Sequence, residues 1–214
     1  MKNFQLIHQR RVLGILCLFL APLSIAFGLF SHTNPEHWWY SISATYYANS
    51  NMLMIGLLFT TSVFFITYQG YDIIDRIITD FSALFALGIV TFPCNIGIYS
   101  RVGLFQLPVG TSNIIHYCCA AGLFLSFAIM IIFRFPKSNG TVTRKKVTRN
   151  IIYYVCGGVI LLFMIWQLIT NLIHLPGYWT IIDETVMLTA FSIAWLVKGE
   201  SFKTFNDDEE PTLS

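Results

Sequence analysis

The 214 residues of this chain are 55% hydrophobic and only 11% charged, less than half the roughly 25% charge of an ordinary soluble domain. Too few polar side chains are present to cover a water-facing surface, so lipid is the expected solvent over much of the molecule. A formal net charge of +2 is too small to point to a nucleic-acid partner.

A membrane crossing needs about 20 mostly apolar residues to span about 30 Å of hydrocarbon. Residues 12–30 form the first such stretch, after the basic start with Lys2, Arg10 and Arg11. It is too long for the apolar part of a signal peptide and no small-x-small cleavage pattern closes it, so it reads as a retained span. Pro22 is expected to kink it, because its ring removes one backbone hydrogen bond. The second stretch, residues 52–71, follows an aromatic belt of Trp38, Trp39 and Tyr40 and a polar run with Ser41, Ser43, Thr45, Tyr46 and Tyr47.

The third stretch, residues 77–96, is entered through Asp72, Arg76 and Asp80. Their spacing of four predicts an ion-pair ladder on one helical face, with Asp80 inside the span. Asn95 ends this stretch, and His116 lies one turn into the fourth, residues 113–133. A connection with Arg134, Lys137, Arg144, Lys145, Lys146 and Arg149 leads to the fifth, residues 151–172. There Gln167, Asn171 and His174 recur at intervals of four and three, one polar stripe on an apolar helix. Asp183 and Glu184 open the sixth stretch, residues 184–198, which the apolar run 179–182 extends.

The pattern predicts an all-α polytopic membrane protein, a bundle of six transmembrane helices. One domain covers residues 1–200, and residues 201–214 form a short cytoplasmic tail whose acidic stretch at 207–210 is expected to be solvated and disordered. Twelve of the thirteen Lys and Arg fall in the termini and the even-numbered connections. The positive-inside rule then places both termini in the cytoplasm. The basic fourth connection also suits anionic lipids. Asn139-Gly140-Thr141 matches a glycosylation acceptor but falls on the cytoplasmic side of this topology, where the match is accidental.

The five cysteines form no CxxC pair and are expected to be reduced thiols used as small apolar side chains. Small residues four apart, Ser82 and Ala86, Gly122 and Ser126, Ala190 and Ala194, mark spans three, four and six as close-packing. No charged side chain falls in the central third of a span, which argues against a pump, a proton-coupled transporter or a voltage sensor. The two halves show no internal repeat.

Polar residues concentrate toward the outer ends. Ser43, Tyr46, Tyr47, Asn95, His116, Gln167, Asn171 and Glu184 are the candidate ligand-binding set, satisfied together by an outward-facing polar cavity. Small faces on spans four and six make these helices expected neighbours, with His116 and Glu184 hydrogen-bonded directly or through one water. A metal centre of His37, His116, His174, Asp183 and Glu184 lacks any HExxH-type spacing, so neither metal nor cofactor is expected. A serine hydrolase would set Ser41 or Ser43 beside His116 and an acid such as Glu184, without any nucleophile-elbow motif.

Ser41-Ile42-Ser43-Ala44 with Tyr46-Tyr47, Phe92-Pro93, His116, Glu184 and Trp195-Leu196-Val197-Lys198-Gly199 together resemble a bacterial six-span family of unassigned function. More distantly the layout is similar to the DRAM and Sfk-like superfamily, whose eukaryotic members include lipid-remodelling factors. The resemblance implies a six-helix bundle with an outward-facing polar region, in a cell membrane, the bacterial inner membrane; membrane lipids are the expected partners. It carries no catalytic set. Three functions follow as expectations: binding a lipid headgroup or amphiphile, a membrane-embedded lipid hydrolase or transferase using His116 and Glu184, or a structural or regulatory role with another membrane protein or a second copy.

Overall fold

The computed structural model describes residues 2–30, 34–137 and 143–206, with side chains from Phe4 onward. The glycosylation match at 139–141 and the acidic stretch at 207–210 lie outside the described residues. Among those described, six α-helices carry the fold: α1 (Lys2–Gly28), α2 (Asn51–Thr67), α3 (Ile73–Thr91), α4 (Val109–Ile129), α5 (Arg144–Leu172) and α6 (Tyr178–Lys198). A two-stranded antiparallel hairpin, β1 (Arg101–Val102) and β2 (Leu107–Pro108), interrupts the α3–α4 connection.

Four helices are long and apolar enough to cross a membrane: α1 from Phe4, α4 with its extension to Arg134, α5 and α6. With 17 residues, α2 reaches about 26 Å at 1.5 Å per residue, short of the hydrocarbon thickness by itself. The first two turns of α3 hold Asp75, Arg76 and Asp80. Every helix nevertheless presents large apolar side chains outward: Phe19, Phe59, Leu84, Leu125, Leu162 and Ile193 are all exposed. A belt of this kind is unfavourable against water and suits lipid.

Each helix packs along its chain neighbour, and α6 returns to pack along α1 as well as α5. The helices thus form a closed ring. Its centre is aromatic: Phe65, Phe127, Phe191 and Trp195 are almost fully buried, and the Phe127 and Phe191 rings lie 3.9 Å apart. We call the end where α2, α4 and α6 begin the upper end and the opposite one the lower end. The expectation that small faces join spans four and six is corrected. Gly122 of α4 meets Phe85 of α3, whereas α4 and α6 touch at few residues, because a cavity separates their upper halves. Pro22 lies inside α1 without ending it, and all five cysteines are free.

The lower end is organised by charge. Asp72 caps α3, accepting from the backbone N–H groups of Ile74 and Asp75 at 3.0 and 3.2 Å. Its extended backbone (ψ 179°) takes it off the helical face, so the expected ladder shrinks to an exposed Arg76–Asp80 pair at 3.8 Å. Asp72 and the buried Asp75 instead hold Arg134 between them. Arg134 reaches them from a wide π turn, Met130–Arg134, that continues α4. The Arg134 guanidinium holds the Asp72 carboxyl below the ordinary carboxylate range. Asp75 also accepts the Tyr71 N–H at 2.8 Å, an approach that needs Gly70, whose φ is +49° and whose Cβ would fall 2.3 Å from that of Asp75. Nearby, Arg10 donates to the Tyr68 hydroxyl at 3.0 Å, and Lys198 donates to the Phe135 carbonyl at 2.7 Å.

Candidate functional site: an amphipathic cavity at the upper end

Two connections build the upper end. Before α2 the chain makes a 3-10 turn, Ser43–Tyr47. Ala44 N–H donates to Ser41 Oγ at 2.9 Å and Thr45 Oγ1 to the Ile42 carbonyl at 2.6 Å, which satisfies this buried turn locally. α6 then anchors it from outside. Glu184 accepts the Ile42 N–H at 2.5 Å and the Ser43 hydroxyl at 3.4 Å. Gly177 admits the Tyr40 ring, since a Cβ there would lie 2.6 Å from it.

The α3–α4 connection follows a similar logic. Ser112 donates to the Pro93 carbonyl and His116 Nδ1 to the Phe92 carbonyl, both at 2.8 Å. Two side chains of α4 thereby take up carbonyls that α3 leaves unpaired where it ends. With its proton on Nδ1, a neutral imidazole carries its lone pair on Nε2. Asn95 N–H donates to Asn113 Oδ1 at 2.8 Å.

Between α4, α5 and α6, under these two connections, lies a cavity of about 520 Å³, within the range of about 300–1,000 Å³ that takes small ligands. Its walls change character with depth. At the upper end they carry Asn95, His116, Gln167, Asn171, Thr180 and Glu184. One to two turns further in they are Ala120, Ala121, Phe124, Met164 and Met187. Phe127 and Phe191 follow one turn below Phe124 and Met187, and their contact closes the space between α4 and α6.

Six of the eight expected residues therefore share one cavity: Ser43, Asn95, His116, Gln167, Asn171 and Glu184. Tyr46 and Tyr47 do not line it. The Tyr47 hydroxyl donates to the Cys94 carbonyl at 2.7 Å, and its ring stacks on Tyr99 at 5.2 Å. Burial pushes the hydroxyls of both tyrosines above the ordinary range. They brace the connection behind the wall. His174, which ends the expected stripe, is exposed past the end of α5 with φ +54°.

The direct His116–Glu184 hydrogen bond is not formed among the described residues, because each is committed to a backbone group, His116 on Phe92 and Glu184 on Ile42. Neither Ser41 nor Ser43 hydrogen-bonds His116; Ser41 Oγ accepts from Ala44 and Ser43 donates to Glu184. Gln167 donates to Thr180 at 3.1 Å and to Asn171 at 3.4 Å, while its buried Oε1 has no partner. Among the described residues no group of three or more His, Cys, Asp or Glu is placed to hold a metal ion.

Sequence reasoning missed Tyr40, Tyr117 and Thr180, which also line the cavity. Thr180 was detectable, since it lies four residues before Glu184 on the same face of α6. Tyr40 looked like an interfacial anchor and gave no other signal. Asp75, beside the expected ladder, is the carboxylate that the fold buries at the lower end, as Asp183 is at the upper.

Fold and site define the class: an all-helical bundle with four helices long and apolar enough to cross a membrane and an amphipathic cavity at one end. No family model, curated protein or solved structure matches the chain.

Proposed function

We propose that this protein crosses the membrane six times, with both termini in the cytoplasm, and holds an amphiphile by its headgroup in the upper, outward-facing cavity. The observation that carries this reading is the change in its walls, from amide, imidazole and carboxylate at the upper end to alanine, phenylalanine and methionine below. Such a gradient matches a molecule with a polar head and an apolar tail. The exposed apolar side chains on all six helices support burial of α2 and α3 in the same bilayer as the four longer helices. Twelve of thirteen Lys and Arg on one side of the bundle support the orientation.

A structural role draws on a specific observation too: His116 and Glu184 both tie down backbone groups. An open cavity beside them is what favours binding. Mass spectrometry of protein purified in mild detergent should detect a retained amphiphile, lost on Ala121→Trp, which places an indole in the cavity. An amphiphile retained equally by that variant, or none retained by the parent protein, contradicts the reading.

A further inference from the structure

We infer that the headgroup recognised in this cavity is a protonated amine bearing N–H donors. This inference rests on the amphiphile reading and specifies its ligand.

The wall carries one acidic side chain among the described residues. Glu184 supplies a carboxylate, and its bonds from the Ile42 and Ser43 N–H groups and the Ser43 hydroxyl leave a lone-pair position for a further donor. Gln167 lines the wall, and its buried Oε1 has no hydrogen-bond partner, which leaves the amide free to turn toward a donor at a cost below that of an unpaired acceptor. His116 is buried, with its ring nitrogens held by the backbone carbonyls of Phe92 and Ile89, so it shapes the wall and is not counted among the acceptors open to a ligand.

No Lys or Arg lines the cavity among the described residues. The sole Lys or Arg in the upper connections, Arg101, donates to the Gln106 carbonyl in the hairpin and stays off the wall. A phosphate or carboxylate head would meet the Glu184 carboxylate with no Lys or Arg opposite it, the basic side chains on the wall being His37 and the buried His116, an arrangement that disfavours an anion. An ammonium meets complementary charge, acceptors for its protons and the rings of Tyr40 and Tyr117 on the wall, which suit a cation.

The test uses the full chain in nanodiscs of zwitterionic lipid, with empty nanodiscs subtracted, and measures binding of dodecylammonium, dodecyltrimethylammonium, dodecyl phosphate, dodecanol and butylammonium. Dodecylammonium is expected to bind at least about tenfold tighter than each of the others. Trimethylation removes the N–H donors, phosphate reverses the charge, dodecanol removes it and the butyl chain loses the apolar part. Glu184→Gln keeps an acceptor for Ile42 N–H and should lower dodecylammonium affinity about tenfold, and Gln167→Met should lower it in a second, independent background. Equal or tighter binding of the phosphate, the alcohol or the trimethyl compound overturns the amine headgroup while leaving an amphiphile cavity. Butylammonium binding as tightly overturns the amphiphile in favour of a free amine. Failure of all five to bind overturns the amphiphile reading itself.

Discussion

Glu184 of α6 accepts the backbone N–H of Ile42 at 2.5 Å, across 142 residues of chain. This bond holds the segment that roofs the cavity onto the helix forming its wall. The same carboxylate faces the cavity, so one side chain both shapes the site and sets its charge. Replacement by alanine leaves a desolvated N–H unpaired and should cost about 2 kcal/mol. Glutamine, which still accepts, should cost less than half of that. Unfolding in mixed micelles measures both, and equal losses would refute the assignment.

His116 and Glu184 share the cavity but no hydrogen-bond partner. Their contributions to stability should therefore add, to within about 0.5 kcal/mol, when His116→Ala and Glu184→Gln are combined. A coupling well beyond that range would show a direct interaction in the folded protein.

The Asp75–Arg134 pair at the lower end is buried on both sides. Asp75→Ala strips the guanidinium of one carboxylate inside the bundle and should cost about 3 kcal/mol. The exposed Arg76–Asp80 pair serves as the control, and Asp80→Ala should cost no more than about 0.5 kcal/mol. Comparable losses at the two sites would contradict the burial argument.

Asp72 gives acid stability a direction. Its carboxyl is held below the ordinary range, first by the hydrogen bond from Arg134. Its contribution is therefore fully present above the unfolded carboxylate pKa of about 4 and disappears as pH falls through the lower folded value. The stability difference between the parent protein and Asp72→Asn, whose side chain can still cap α3, should be flat above about pH 5. Below that it should shrink toward zero on acidification. A difference that widens in acid has the wrong sign for this pairing.

Orientation is open to labelling in intact cells. Relative to the parent background, cysteines introduced at the exposed Glu36 and Pro176 should react with a membrane-impermeant maleimide. A cysteine at Gly140 should react only after lysis. Labelling at Gly140 from outside would reverse the proposed topology.

Much of the fold is legible in the chain because lipid imposes a one-dimensional rule. A helix must satisfy its own backbone and present apolar side chains outward, so apolar runs locate helices without knowledge of their neighbours. Composition and spacing located all six helices in this way, with ends displaced where a cap such as Asp72 intervenes. The same spacing marked His116, Gln167 and Glu184 as polar side chains needing partners. Which partners they take was decided only in three dimensions. Backbone carbonyls at the end of α3 claim the His116 proton, and the Ile42 N–H claims Glu184. Both are contacts between distant segments that no local period encodes. Tertiary packing likewise turned the small face of α4 toward Phe85 on α3 and opened the cavity against α6. It also chose Asp75, rather than Asp80, as the buried carboxylate of the lower end. Periodicity states which face of a helix is apolar or small, while the neighbour that meets that face follows from how six faces close into one ring.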